Sequence, residues 1–443
     1  MLPTQFLNRM QAMLGDEYEQ FLASYDHEKY QSLRINTLKA DREEFLKKAP
    51  FSLEQVPWAE NGFYYTAADQ PGKHPYHEAG VYYIQEPSAM VPAGLLEAQP
   101  GERILDLCAA PGGKSTQIAS AMQGKGLLVC NEIHPARAKI LSENVERMGI
   151  CNAMVTNETP QKLAEIFQDY FDRIMVDAPC SGEGMFRKNE EACEQWSEEN
   201  VQLCADRQDE ILDCAAVMVR PGGRIVYSTC TFAPLEDEGS VERFLSRHPE
   251  FSLVKDMHLW PHKVKGEGHY AAVLAKGGEI AENYVCHSRN GIEIGIPTGK
   301  NNLQKECGEY FAFEKEYLEG SIQERLSGTY LKFGDQLYLC PPGMPATKGL
   351  KVLRPGLHLG TMKKNRFEPS HALALALTPQ DVVFHYDLRA DSKEARDYLN
   401  GMTFPAEGEK GWYLITVDGY SMGWGKLAGG MMKNHYPKGL RKG

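Results

Sequence analysis

The chain has no C-x-x-C pair and no apolar run long enough to cross a membrane. It also lacks the basic-then-apolar layout of a secretory leader. Eleven cysteines, an odd number, are scattered over 443 residues. Such a set argues against a disulfide framework or a zinc site; it predicts reduced thiols, a cytoplasmic protein and no metal. The dinucleotide fingerprint G-x-G-x-x-G is missing. Repeats and low-complexity tracts are missing too. So is a positive net charge: the value of −12 argues against a generic nucleic-acid coat. Acid, however, is locally missing. Residues 344–366 carry Lys348, Lys351, Arg354, Lys363, Lys364 and Arg366 with no Asp or Glu. Residues 419–443 carry Lys426, Lys433, Lys438, Arg441 and Lys442, again with none. Such stretches can track phosphates on an acidic protein, or they can be solvated surface.

The length predicts two to four domains. Helical spacing over Phe6–Tyr25, a strand at Ser32–Asn36 and a helix at Asp41–Lys48 make a small mixed segment. Val81–Ile84 is a short strand, and Ser88 is placed to cap a helix through Leu96. From Gly101 the pattern alternates. Strands are expected at 103–107, 126–131, 153–156, 171–176 and 223–228. Helices fill the intervals and end with Glu236–Arg247. This is the pattern of a doubly wound α/β sheet, whose buried parallel strands are continuously apolar. The alternation fades after Leu274. Residues 288–302 read as a boundary, Tyr310–Leu326 as one amphipathic helix, and the remainder as short strands at 336–339, 382–386 and 412–417.

Three motifs fall at expected strand ends, where open parallel sheets hold ligands. The first is Asp106-Leu107-Cys108-Ala109-Ala110-Pro111-Gly112-Gly113-Lys114. Its glycines allow a ligand close to backbone, and the helix that follows offers free N–H groups. The bland alternative is an ordinary tight turn. Glu132, after the next strand, suits ribose hydroxyls or simply a helix start. The second motif is Asp177-Ala178-Pro179-Cys180-Ser181-Gly182, and the third is Tyr227-Ser228-Thr229-Cys230-Thr231. A cysteine attacks only as thiolate, in surroundings that favour that form. Cys130, Cys151, Cys204 and Cys214 fall within apolar patterns and read as inert. Cys108, Cys180 and Cys230 do not. Chemistry alone leaves open which of Cys180 and Cys230 is a nucleophile. The loop from Gly182 to Lys188 ends in Arg187-Lys188, suited to phosphates or to solvent.

In this order, the three motifs resemble the Nol/Nop/Sun family of RNA cytosine-5 methyltransferases over about residues 30–275. Leu33-Arg34-Ile35-Asn36-Thr37-Leu38 and Tyr83-Ile84-Gln85-Glu86-Pro87-Ser88 resemble the family's segments ahead of the core. The tail, from Asp418-Gly419-Tyr420 to Arg441, resembles the family's bacterial RsmF type, which methylates small-subunit ribosomal RNA and carries a PUA-like RNA-binding domain. The resemblance implies a Rossmann-like class I methyltransferase core at 76–285. It implies an N-terminal support or RNA-binding segment at 1–75, an α+β middle domain at 286–370 and a β-rich PUA-like domain at 371–443. It implies S-adenosylmethionine on Cys108, Ala109, Ala110, Pro111, Gly112, Gly113 and Lys114, with Glu132 on the ribose. Many relatives hold the adenine with an aspartate after the third strand; here Asn157 or Glu158 stands in that segment and either can accept from an exocyclic amine. Asp177 is implied near the cytosine and the cofactor, Cys230 as nucleophile, and Cys180 in product release.

The chemistry this implies is covalent. Thiolate addition at carbon 6 makes carbon 5 electron-rich enough to take a methyl group. Asp177, protonated or hydrogen-bonded to ring nitrogen 3, would stabilise the developing charge. The target base must leave its stack. RNA is therefore the expected partner, without a membrane or metal. The competing readings are a non-catalytic RNA-binding assembly factor, an enzyme acting on tRNA, and a methyltransferase of protein or DNA. Neither the cytosine nor the oligomeric state is legible in the sequence.

Overall fold

The computed structural model describes residues 2–188, 190–279 and 306–441. The boundary expected at 285/286, the polar run 288–302 and Lys442 lie outside these residues. The central element is an eight-stranded sheet. Its strands are β1 (Arg103–Asp106), β2 (Leu127–Asn131), β3 (Ala153–Thr156), β4 (Phe171–Asp177), β5 (Val219–Thr229), β6 (Phe251–Leu259), β7 (His269–Lys276) and β8 (Val352–Pro355). Their order is β6-β7-β5-β4-β1-β2-β3-β8. The five middle strands are parallel, β7 and β8 run antiparallel to them on the flanks, and β6 pairs antiparallel with β7.

Successive residues of these strands face opposite cores. Leu105, Val129, Ile174 and Ile225 share one apolar cluster; Ile104, Leu128, Met175 and Val226 share the other. Helices cover both. The helices α1 (Gly113–Met122) and α2 (Pro135–Arg147) bury Ile118, Leu141 and Val145 on one face. The helices α3 (Pro160–Ile166), α4 (Glu198–Met218) and α5 (Glu238–Arg247) bury Leu163, Leu212 and Phe244 on the other. A strand covered on both sides must be apolar throughout, which is why these runs were readable in the sequence.

Three smaller sheets surround the core. Strands 54–55, 62–64, 32–35 and 82–84 form the first; 329–333, 336–340, 357–363 and 366–369 the second; 385–388, 404–405, 411–417, 420–428 and 431–434 the third. Some expectations fail for local reasons. The helix expected over 310–326 is two, Gly308–Tyr317 and Ile322–Leu326, because Leu318 pairs with Val382 and Gly320 takes a positive φ. Ser88 caps nothing: its hydroxyl goes to Glu86 and His269. The segment 352–355 leaves the expected middle domain and adds β8 to the core sheet, anchored by Arg354 against Glu146 and Ser142 of α2.

Candidate active site

The carboxyl ends of β1, β2, β4 and β5 border one cavity of about 560 Å³. It lies where the sheet order reverses, since the chain runs outward from β1 to β3 and then returns beside β1 with β4. That is the expected ligand position in an open α/β sheet. Of the residues expected from the sequence, Cys108, Ala110, Glu132, Asp177, Cys180 and Cys230 line the cavity.

The two thiols meet. Cys180 Sγ and Cys230 Sγ are 3.3 Å apart, and the Cys230 amide donates to Cys180 Sγ at 3.4 Å. The contact with the Cys230 thiol, together with burial, pushes Cys180 well above the ordinary thiol range. Cys180 therefore keeps its proton at neutral pH. Cys108 is also pushed up, by burial and then by the nearby Asp106 charge, and reads as a wall rather than a nucleophile.

Asp177 ends β4. Its Oδ2 lies 2.7 Å from Lys114 Nζ, and its Oδ1 accepts from Ser228 Oγ at 2.8 Å. Burial is the largest influence and would raise the carboxyl, but the Lys114 ammonium, His269 and the hydrogen bonds from Lys114 and Ser228 together outweigh it, and the value falls below the ordinary range. Burial likewise works against the Lys114 charge, and the neighbouring acidic groups, led by Asp177, together hold the ammonium above its usual value. The protonated form of Asp177 considered from the sequence is thus disfavoured. The pair offers a carboxylate acceptor beside an ammonium donor. His269, at the start of β7, is lowered to about 4 by burial and then by the Lys114 charge, and faces the site as a neutral imidazole.

Glu132 is buried under the cavity wall. Its Oε1 accepts from the His134 amide at 2.9 Å, and Arg137 lies 3.6 Å from Oε2. Arg137 also donates to the Ala110 carbonyl at 2.8 Å, tying the first motif's loop to α2. Asn157 and Glu158 do not reach the cavity. The Asn157 amide donates to the carbonyls of Glu132 and Ile133, and the Glu158 carboxylate accepts from the Lys351 amide beside β8. Gln161, one turn later, lines the wall instead. The side chain that closes this end depends on where β8 docks, which no local pattern displays.

The glycine loop also differs from expectation. Gly112 has φ +116°, a conformation that disfavours any side chain. A Cβ on Gly113 would come within 3.3 Å of Gln85 and 3.4 Å of Tyr83, so the N-terminal sheet packs closely against that glycine. Neither glycine lines the cavity, nor do Ala109, Pro111 and Lys114. The loop is held from behind by Arg34, whose buried guanidinium donates to Gln85 Oε1, the Gly113 carbonyl and Thr116 Oγ1 at 2.7–3.0 Å. Burial lowers Arg34 only to about 10, so it stays charged. The segment Leu33–Asn36, read from the sequence as part of a strand and given a place ahead of the core by resemblance, has this mechanical task. Glu86 fixes the Ala89 and Glu267 amides in the same way.

Helices at 4–14 and 18–23 cover the loops that follow both cysteines. Phe6, Met10 and Phe21 pack with Phe186, Trp196 and Phe232, and Arg9 pairs with the buried Glu183. Arg187 is a further correction. Its side chain is 3% exposed, faces Glu267 at 3.5 Å and donates to the carbonyls of His27 and Glu28, so it is not placed for phosphates. Lys363 and Lys364, by contrast, sit exposed on the hairpin between 357–363 and 366–369.

Comparison with known proteins matches four family descriptions along the chain. "16S rRNA methyltransferase RsmB/F" covers residues 93–275, and "N-terminal domain of 16S rRNA methyltransferase RsmF" covers 2–87. "RsmF rRNA methyltransferase first C-terminal domain" covers 312–377, and "Methyltransferase RsmF PUA domain" covers 385–442. The chain is 31% identical to ribosomal RNA small subunit methyltransferase F of Vibrio vulnificus, over 99% of this chain and 97% of that one. It is also 31% identical to the Escherichia coli protein of the same name, over 99% and 96%. A methyltransferase homolog from Pyrococcus horikoshii superposes with a TM-score of 0.55 at 25% identity, over 62% of this chain and 95% of that one.

Proposed function

The chain belongs to the 16S rRNA methyltransferase RsmB/F family, and from that we infer that it transfers a methyl group from S-adenosylmethionine to carbon 5 of a cytosine in small-subunit ribosomal RNA. The observation that carries this reading is the thiol pair, 3.3 Å apart, on one cavity with Asp177, whose carboxylate Lys114 holds from behind the wall.

The cavity residues fit the cofactor. Glu132 supplies a buried acceptor for ribose hydroxyls, and the apolar walls of Leu107, Ile133 and Pro160 suit an adenine. Bound there, S-adenosylmethionine supplies an electrophilic methyl group. Cys230 is the nucleophile that adds to carbon 6. As it adds, negative charge develops on ring nitrogen 3, and the Lys114 ammonium beside Asp177 can offset it. Ser228 keeps the carboxylate oriented. Cys180 then assists the loss of the carbon 5 proton and the release of Cys230. The base reaches these groups only when unstacked.

The transferase core is assigned to residues 76–285, completed by β8 from the following domain. The RNA-positioning parts are assigned to residues 1–75 and 371–443, with residues 286–370 between. No helix among the described residues is long and apolar enough to cross a membrane. The ten described cysteines are free, which supports a cytoplasmic setting.

Bisulfite sequencing of small-subunit RNA from a strain lacking this chain tests the activity: at least one 5-methylcytosine should disappear. With purified components, Cys230→Ala should lose turnover by a factor on the order of 10⁴ and form no covalent RNA adduct. Cys180→Ala should accumulate a denaturant-resistant adduct. An unchanged methylation pattern, or turnover retained without Cys230, removes this reading.

A further inference from the structure

The two cysteines are held by different means. Cys230 directly follows β5, whose last residues are locked between neighbours: Ser228 is in register with Asp177 of β4 and Thr229 with Tyr270 of β7. Cys180 lies three residues past the end of β4, on a loop whose Pro179 has no N–H to donate. Sheet pairing therefore places Cys230 but not Cys180.

What grips the Cys180 loop is a buried pair from α4 and the turn before α5. Glu236 is fully buried. Its Oε2 accepts from the Ser181 amide at 2.9 Å and from Gln208 Nε2 at 2.8 Å. Gln208 Nε2 also donates to the Pro179 carbonyl at 3.1 Å. The carboxylate and the amide thus hold the chain on both sides of Cys180. Each is itself anchored, Glu236 through its carbonyl by the Tyr227 hydroxyl and Gln208 Oε1 by Ser240 Oγ. A bridge then reaches the other loop: Ser181 Oγ and Thr231 Oγ1 are 2.8 Å apart, next to Cys230.

We propose that Glu236 is a positioning residue for the release half of the reaction, holding Cys180 against Cys230 so that the methylated adduct can resolve. The inference rests on the roles given above to the two thiols. In release, the carbon 5 proton passes to Cys180 sulfur while Cys180 passes its own proton to the Cys230 sulfur. The C5–H electron pair becomes the C5–C6 double bond, and the C6–S pair leaves on Cys230. Both transfers need Cys180 within reach of Cys230 and of carbon 5. Attack by Cys230 needs neither, so loss of the clamp separates the two halves.

The test compares the full chain with Glu236→Ala, Gln208→Ala and Glu236→Gln. The last keeps an oxygen for the Ser181 amide. In single-turnover reactions with RNA, Glu236→Ala should form the denaturant-resistant adduct near the wild-type rate, yet release it slower by a factor on the order of 10². Gln208→Ala should act in the same direction, and Glu236→Gln should restore most of the loss. A second measurement needs no RNA. Diamide takes two electrons and two protons from a close thiol pair, and mass spectrometry reads the Cys180–Cys230 disulfide. Its formation should slow at least tenfold in Glu236→Ala and recover in Glu236→Gln. Unchanged cross-linking in Glu236→Ala overturns the clamp. Slowed cross-linking with normal release overturns its role in the reaction, as does an equal loss of attack and release. If the wild type forms no RNA adduct, the thiol roles fail, and the cross-linking rate still reports on the clamp.

Discussion

Lys114 and Asp177 show how little room one residue has in this site. Each is charged against the pull of burial, and each owes its charge to the other. The depressed Asp177 stays ionised above the ordinary carboxylate range and loses its charge only as pH falls through its lowered value. The raised Lys114 loses its proton only as pH rises through a value above its usual one. The pair is therefore intact throughout the neutral range. Lys114→Met removes the first of the interactions that oppose burial, so the Asp177 carboxyl should move up. The acid limb of the kcat/KM profile should shift toward neutral pH. An acid limb that does not move would show that Asp177 ionisation is not what the rate follows.

At the scale of elements, the two acid-free stretches divide by partner rather than by charge. Arg354 is buried on β8 and serves the sheet; Lys363 and Lys364 project from a hairpin; Arg366 already pairs with Glu368, two residues on along its own strand. Arg354→Ala strands Glu146 and should destabilise the chain by about 3 kcal/mol, without altering the salt dependence of RNA binding. Replacing Lys363 and Lys364 by Ala should do the reverse. Stability should hold, while the slope of log affinity against log salt flattens by about 1.5, since two phosphate contacts and their counterions are lost. Melting curves and salt titrations of both variants decide the matter. An unchanged slope in the lysine variant would make the hairpin solvated surface.

Across the whole molecule, the chain's ends are built together. Leu33, Ile35, Phe63 and Tyr82 from the N-terminal sheet share a cluster with Tyr398, Tyr413, Ile415 and Tyr436 from the C-terminal domain. Tyr76 donates to Asp418 at 2.8 Å, and Tyr436 to Glu78 at 3.2 Å. The same N-terminal sheet carries Arg34 to the loop 108–114, so the C-terminal domain and that loop press on one support. Tyr436→Ala removes a buried aromatic from the joint and should cost about 3–5 kcal/mol. Hydrogen exchange should then rise at 32–35 as well as at 411–417. Exposure confined to the C-terminal strands would mean that the two ends fold independently.

The sequence by itself determined the parts that repeat a local rule. Buried parallel strands carry a continuous apolar run at their centres, so β1 to β5 were readable, and so was the alternation that makes the fold. The motif ends brought Asp177, Cys230 and Glu132 to the cavity, because residues at the carboxyl ends of parallel strands border it, and they left Cys180 on a loop nearby. Tertiary structure alone decided what stands opposite those ends. Lys114 rather than solvent faces Asp177; Asn157 and Glu158 are drawn to β2 and β8; Arg187 turns inward to Glu267. Gly113 makes room for Gln85, twenty-eight residues back, and Glu236 reaches the loop of Cys180, fifty-six residues back. A local pattern records which face of its own element a residue occupies. It carries no record of the partner that another element delivers, and in this site the partners set the charges, the protons and the spacing of the two thiols.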